Sequence, residues 1–468
     1  MIEMTLGEIA AVVGGSLADP ADAGVAVTGP AFLDSRSPAP GGLFLAIAGE
    51  HVDGHDYAPA ALAGGAAAVL GSRATEAPTV VVADVEAAVQ TLAAHVLRRL
   101  RQVHPALRVV AVTGSQGKTT AKDMMAAVLG DAGPTVATYG SFNNELGLPI
   151  TVLRAEPSTR FLVLEMGARG IGHLALLCTI APPDVSLVLN VGRAHIGEFG
   201  SQQAIATAKG ELVEALSPDG VAVLNLDDPL VAGMAPRTRG RVSTFGRGGG
   251  ASVGLDELEL DALGRPSFDL HRSTGSGAER VHVRLNLLGE HQATNALAAA
   301  TVALALGLPL AEVGASLESI TALSKWRMEL HERADGLVVI NDAYNANPDS
   351  MRAALETLAG IGERSGRHTV AVLGEMRELG ASSEEEHRAL GRLARELGID
   401  QLFVVGAGAR AICDTDQTAV YVESVDDAVE LVGNNVVGTD IVLVKASRAA
   451  GLERVADALL EQEKEASP

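Results

Sequence analysis

Residues 108–120 read RVVAVTGSQGKTT, and their order decides the architecture of the chain around them. The apolar run Val109 to Val112 predicts a buried strand, and the glycine-containing turn after it leads into a helix from about residue 118 to 130. Strand, glycine loop and helix in that succession form a phosphate cradle, because loop N–H groups and the helix N-terminus point at one anion together. In such a cradle Thr113, Gly114, Ser115, Gln116 and Gly117 wrap the phosphates of a nucleotide. Lys118 reaches the β- and γ-phosphates, and Thr119 offers its hydroxyl to magnesium. The general phosphate-loop pattern has glycine six residues before the lysine, where this chain has Val112.

Working outward, short apolar runs alternate with helical stretches: FLVLEMG (161–167), DVSLVLNVG (184–192), a helix from about 201 to 216, then VAVLN (221–225). That alternation predicts a mostly parallel sheet covered on both faces. Between about 236 and 288 the chain is glycine-rich, and VHVRLNL puts Val281, Val283, Leu285 and Leu287 on one face of an antiparallel strand. A second alternating series follows about residue 325: LVVIND, a helix over 349–359, HTVAVLG, a helix near 383–397, QLFVVG, DIVLVK and a helix over 449–463. Upstream, Thr5 and Glu8 form a capping box for a helix ending near Gly14 and Gly15, and a strand is expected at Leu43–Ile47. Ala-rich helices are expected at 58–69 and 85–101, and His104-Pro105 makes a boundary. The expected fold is α/β in three domains. These are a small α/β domain at 1–105, a central phosphate-loop ATPase domain at 106–323 with a mostly parallel sheet plus a small antiparallel one, and a Rossmann-like domain at 324–468.

Composition narrows the function. The 468 residues are 47% hydrophobic and 20% charged, the composition of a globular chain with room for several cores. With 36 basic against 58 acidic residues the net charge is −22, and 8 Phe, 4 Tyr and 1 Trp leave few rings to stack on bases, so no nucleic-acid partner is expected. Cys178 and Cys413 are too few for a disulfide framework or a cysteine-based zinc site, which points to a reducing compartment. The opening MIEMTLGEIAAVVGG has no basic n-region of a secretory signal. The apolar stretch Asn295–Leu310 carries Thr301 and Pro309 and is shorter than the ~20 residues that cross a bilayer. It reads as a buried helix of a soluble, cytoplasmic protein.

Several polar residues then stand out. Glu165 and His195 fall at or just after the carboxyl ends of expected strands, where an open sheet gathers its ligand, and Lys209 lies on a helix able to turn toward the same crevice. Singly, such a histidine is more often a hydrogen-bonded loop residue and such a lysine a solvated one; their joint placement after the phosphate loop favours metal ligation. In NDAYNANPDSM (341–351), Asn347-Pro348-Asp349-Ser350 is sufficient for a turn and helix cap, but capping does not require Asp342, Tyr344 and Asn345. Arg327, in SKWRMEL (324–330) at the join of the last two domains, is equally readable as a solvated linker charge or a phosphate clamp.

From about residue 30 to about 455 these strings together resemble the Mur ligase family, the ATP-dependent amide-forming enzymes of peptidoglycan precursor synthesis. The resemblance rests on DSR (34–36) with PGGLFLAIAG and DGHDY, on TGSQGKTT, whose family form also lacks the first glycine, and on NNELGLP, EMG, NVGRAH, AKGE and LNLDD in their expected order. DAYNANPDSM lacks the histidine usual in sister enzymes, no Asp-Asn-Pro-Arg string is present, and VKASRAAGLERV follows near the end. These features resemble the member that joins D-alanyl-D-alanine to UDP-N-acetylmuramoyl-tripeptide. Ala446 stands where the family usually has glycine.

The resemblance implies ATP, two magnesium ions and an acyl-phosphate intermediate. It implies Thr119 and Glu165 on one metal, His195 and a carbamylated Lys209 on the other, and Lys118 and Arg327 as electrostatic stabilisers. Asn295 and Asp342 are implied at adenosine, Ser35 and Arg36 at the uridine nucleotide, and Asn143 and Asn144 at the muramoyl group. Tyr344, Asn345 and Asn347 are expected to contact substrate, with the third domain closing on the second. A monomer is expected. The alternatives are a sister ligase with another amino-acid acceptor, or a nucleotide-binding regulatory protein that has lost catalysis.

Overall fold

The computed structural model describes residues 1–49, 52–140, 142–192, 199–274, 277–321, 324–415 and 418–465. Arg108–Thr113 lies inside a nine-stranded sheet, between Phe161–Glu165 on one side and Val185–Val188 on the other, both parallel to it. Its Val109–Val112 side chains are fully buried, as an all-apolar strand covered on both faces must be. The register pairs Val110 with Val163 and with Val185, so the three strands end together and present their carboxyl ends to one crevice.

Outward from this centre the sheet continues through Val221–Asn225 and Arg241–Phe245, still parallel. A single pair, Phe245 with Val253, then joins it to the antiparallel strands Val253–Leu260, Pro266–Thr274 and Gly277–Arg284. The last of these holds the predicted alternation, with Val283 buried, but its pairing stops at Arg284 and Leu285 continues the buried face beyond it. Helix His291–Ala305 packs against the sheet with Ala296–Leu304 buried throughout, together with Met124, Met125, Val128 and Leu129 of helix Lys118–Ala132. Each fully buried valine or leucine here contributes about 1.5–3 kcal/mol relative to exposure.

The N-terminal capping box forms, with Glu8 N–H donating to Thr5 Oγ1 and Thr5 N–H to Glu8 Oε2, and the helix ends at Gly14 with φ 65°. The expected helix over 58–69 stops at Ala63. Gly64 and Gly65 break it, Gly65 at φ 95°, and Ala68–Gly71 becomes a fully buried central strand of a five-stranded sheet. Alanine content suggested helix there, but burial on both faces favours an extended chain.

A six-stranded sheet holds the chain from 329 onward, parallel except for its edge strand Glu329–Glu332. Helix Pro348–Ser365 runs past the expected end at 359 because Met351, Ala354, Leu355, Leu358 and Ile361 keep a continuous buried stripe, and it closes at Gly366 in the left-handed conformation. Among the described residues no helix is long and apolar enough to cross a membrane.

Candidate active site at the phosphate loop

Gly117 takes φ 78° at the start of helix Lys118–Ala132, a backbone that suits glycine, and a Cβ there would lie 2.7 Å from Asn295 Oδ1. Asn295 therefore backs the loop as a close-packed wall, while its Nδ2 donates to Gln292 Oε1 at 3.0 Å. Lys118 folds over the loop and donates to the Gly114 carbonyl at 2.9 Å. The loop is fastened from the neighbouring strand: Asn190 Oδ1 accepts from Ser115 N (2.9 Å) and Gln116 N (3.0 Å), and Asn190 Nδ2 donates to the Gln116 carbonyl (3.2 Å). Ser115 Oγ in turn accepts from Gly192 N at 2.8 Å.

Glu165, at the end of the adjacent strand, is buried and holds both carboxylate oxygens in bonds. Thr119 Oγ1 donates to Oε2 at 2.9 Å and Asn143 Nδ2 to Oε1 at 2.8 Å. Asn144 Oδ1 accepts from Gly147 N at 2.9 Å, where the short helix Gly147–Val152 begins. Lys209, buried on helix Gln202–Glu214, enters the same cleft, and burial and then the Lys118 charge push its ammonium well below the usual lysine range. Burial likewise lowers Lys118, against the raising influence of Glu165.

The third sheet supplies the opposite wall of this cleft of about 280 Å³. Trp326 and Met328 both adopt positive φ, 59° and 50°, and turn Arg327 between them toward the loop. Its Nη2 donates to Thr119 Oγ1 at 3.3 Å and its guanidinium stacks 4.3 Å over the Tyr344 ring. Arg327 Nε is buried and has no hydrogen-bond partner among the described residues, which fits a cation held for an absent anion. Asn345 and Asn347 also line the cleft; Asn347 caps helix Pro348–Ser365 through Ser350 N at 2.9 Å. Asp342 lies beneath, its Oδ2 accepting from Lys445 Nζ at 2.6 Å and its Oδ1 from Met328 N at 3.1 Å, so it braces the Arg327 turn.

Ser35 and Arg36 stand apart: they do not line this cleft, and Arg36 is exposed and paired with Asp34, whose carboxyl it holds down to about 2. His195 lies outside the described residues. Ala446 is fully buried, and a Cβ on Gly374 would sit 2.8 Å from its methyl, so glycine at 374 makes room for alanine at 446. Sequence reasoning gave no role to Asn190, whose signal was its place at the end of DVSLVLN, nor to Arg169, His173 and Glu378, which also line the cleft.

Three family models match the chain in order: Mur ligase family, catalytic domain, at 32–113; Mur ligase middle domain at 112–303; and Mur ligase, glutamate ligase domain, at 326–448. The chain belongs to the Mur ligase family. This Mur ligase is 46% identical over 98% of both chains to the UDP-N-acetylmuramoyl-tripeptide--D-alanyl-D-alanine ligase of Mycobacterium tuberculosis. It is 36% identical to the enzyme of that name from Escherichia coli, over 98% of this chain and 99% of the relative. Among solved structures it resembles MurF from Acinetobacter baumannii (TM-score 0.85, 32% identity, 98% and 99% of the two chains). It also resembles MurF from Thermotoga maritima in complex with ADP (TM-score 0.78, 29% identity, 94% and 98%).

Among the described residues no three His, Cys, Asp or Glu side chains cluster as a ready metal site. The Thr119 and Glu165 oxygens, 2.9 Å apart beside the phosphate loop, nevertheless fit magnesium, which takes oxygen donors and usually keeps waters and substrate phosphates as its other ligands. A lysine held toward its neutral form at Lys209 fits carbamate formation, since only the free amine adds carbon dioxide.

Proposed function

We propose that this Mur ligase joins D-alanyl-D-alanine to UDP-N-acetylmuramoyl-tripeptide at the expense of ATP, giving the UDP-pentapeptide, ADP and phosphate. The observation that carries the reading is Arg327: a guanidinium from the third domain, with an unpartnered Nε, reaching Thr119 of the phosphate loop across the cleft. The close likeness to enzymes named for this reaction supports the choice of substrates.

In the first step a terminal carboxylate oxygen of the tripeptide attacks the γ-phosphorus, and the bond from that phosphorus to the ADP oxygen breaks. Loop N–H groups and Lys118 hold the transferred phosphoryl group, and Arg327 neutralises charge from the other side. In the second step the dipeptide nitrogen, as the free amine, attacks the acyl carbon, the carbon–oxygen bond to phosphate breaks, and the departing phosphate takes up the proton that the nitrogen loses. Asn143 and Asn144 face the muramoyl end, Tyr344, Asn345 and Asn347 line the acceptor side, and Ser35 and Arg36 take the uridine nucleotide at a distance from the cleft. Asn295 and Asp342 stand on the adenosine side, acting through Gly117 and the Arg327 turn.

Thr119 and Glu165 would hold one magnesium ion, and Lys209 as its carbamate, with His195, a second; the metals supply neutralisation of phosphate charge. Domain divisions near residues 105 and 324 separate uridine, ATP and acceptor binding. A monomer in the reducing cytoplasm completes the reading, and of the two cysteines Cys178 is buried.

The test is ADP and phosphate release by purified protein with magnesium, the tripeptide nucleotide and D-alanyl-D-alanine, singly and together. Turnover needing both, with UDP-pentapeptide as product, is expected. Turnover with another amine instead identifies a sister ligase, and no turnover with any pairing favours a nucleotide-binding regulator.

A further inference from the structure

The loop GEMREL, residues 374–379, leaves the carboxyl end of strand His368–Leu373 and is held at nearly every position. Gly374 N donates to the Lys445 carbonyl, Met376 N to His387 Nε2 at 2.9 Å, and Arg377 N to Ser447 Oγ at 3.0 Å. His387 is itself fully buried and fixed by the Ser383 carbonyl, and Met376 and Leu379 are sunk in the core. This fastening leaves Glu378 at φ 64°, a left-handed conformation unusual for glutamate. Non-glycine residues kept in that region cluster at functional sites, because the surroundings must impose the conformation. Here it brings an exposed carboxylate to the cleft that holds the phosphate loop, where its charge acts on Lys118.

Among the described residues the acids lining the cleft are Glu145, Glu165 and Glu378. Glu378 is the one carboxylate that the third domain contributes to the described lining. Lys118, Arg169 and Arg327 bring cationic charge to the rest of the cleft, which suits phosphates and carboxylates and repels an ammonium group. A dipeptide acceptor arrives as a zwitterion whose ammonium nitrogen must shed a proton before it can attack.

We propose that Glu378 recognises the α-ammonium of the incoming acceptor, accepting a charge-assisted hydrogen bond that draws the nitrogen to the acyl-phosphate side of the cleft. This rests on the acceptor reading above. It makes Glu378 a substrate-recognition residue specific to the second half of the reaction.

The test uses the full-length enzyme with Glu378→Gln and Glu378→Gly; glycine suits φ 64° and so keeps the loop intact. KM for D-alanyl-D-alanine is expected to rise about 10- to 100-fold in both variants. KM for ATP and for the tripeptide nucleotide should stay within about twofold of wild type. Hydroxylamine, largely uncharged at neutral pH, should capture the acyl phosphate as a hydroxamate equally fast in wild type and variants. An unchanged dipeptide KM in both variants would overturn the proposal. An equal loss of hydroxamate formation would also overturn it, by assigning Glu378 to the Lys118 side of the cleft. If wild type ignores D-alanyl-D-alanine but uses another amino acid, the acceptor reading fails alone, and the KM ratio for that amino acid decides on Glu378. If wild type uses no amine at all, both fail.

Discussion

Asn190 shows how one amide can set a binding surface that it does not itself present. Its oxygen takes two consecutive loop N–H groups and its nitrogen returns a bond to the Gln116 carbonyl, so the loop is fixed before any phosphate arrives. Asn190→Ala leaves these groups to water, and we expect KM for ATP to rise about tenfold or more with little change in KM for the acceptor, measured by initial rates. His291 has a consequence of a different kind. Burial lowers its pKa, Asp342 works against that and Lys445 with it, so its folded value lies below the ~6.5 of the unfolded chain. As pH falls below about 6.5 the unfolded chain takes up a proton that the folded one refuses, and stability is lost in that direction. The Tm of His291→Gln should therefore fall less steeply than that of wild type between about pH 6.5 and 5. Identical slopes would show that the ring titrates alike in both states.

At the scale of elements, helix Lys118–Ala132 links phosphate binding to the connection between domains. Its first turn carries Lys118 and Thr119, and one turn on Asp123 accepts from Ser324 N at 3.0 Å, just before the paired positive-φ residues that aim Arg327. Asp123 also takes the buried ammonium of Lys122. Asp123→Ala removes both bonds and strands Lys122, so about 3–5 kcal/mol of stability should be lost in urea unfolding. Lys122→Met with Asp123→Leu should restore most of that stability while kcat stays reduced, because Ser324 still lacks its acceptor; recovery of kcat together with stability would disprove the coupling. The helix itself was readable from residues 108–120, since strand, glycine turn and helix are written consecutively, as was the capping box at Thr5 and Glu8. Asn190 was harder to see because its partner Gln116 is 74 positions away and only the parallel register makes them neighbours. Glu378 gave no periodic or compositional signal, since its role depends on a backbone angle. Ala68 and Val69 read as the end of a helix because so short an apolar run carries no pattern until burial on both faces selects the strand.

Across the whole molecule the apolar cores are unequally shared. One cluster runs without a break from Leu6 and helix Val85–Val103 into Leu148, Leu164 and Leu177, and Arg101 adds bonds to the Pro182 carbonyl and Asp184, so the N-terminal sheet is welded to the central one. The two clusters of the third sheet draw their buried members from residue 338 and from residue 337 onward, with Leu288 the one exception. That sheet meets the centre mainly through polar contacts such as Arg364 to the Asp261 carbonyl (2.9 Å), Arg265 with Glu332 (3.7 Å) and Arg327 to Thr119 (3.3 Å). Polar junctions of this kind allow relative motion, so opening for substrate should occur at this junction and not at the N-terminal one. Gly192 lies where the third domain comes close to the loop: a Cβ there would sit 2.6 Å from Asp349 Oδ2 and 3.2 Å from Ser115 Cβ. Gly192→Ala should thus hold the third domain away from the loop while leaving the loop fastened by Asn190. Displacement by about 1 Å at a reacting centre lowers rates up to ~100-fold, so we expect kcat to fall between about 10- and 100-fold with ATP affinity, measured by calorimetry, within about threefold of wild type. A matching loss of ATP affinity would place the damage in the loop through Ser115, and normal turnover would mean that closure does not bring Asp349 to Gly192 during the reaction.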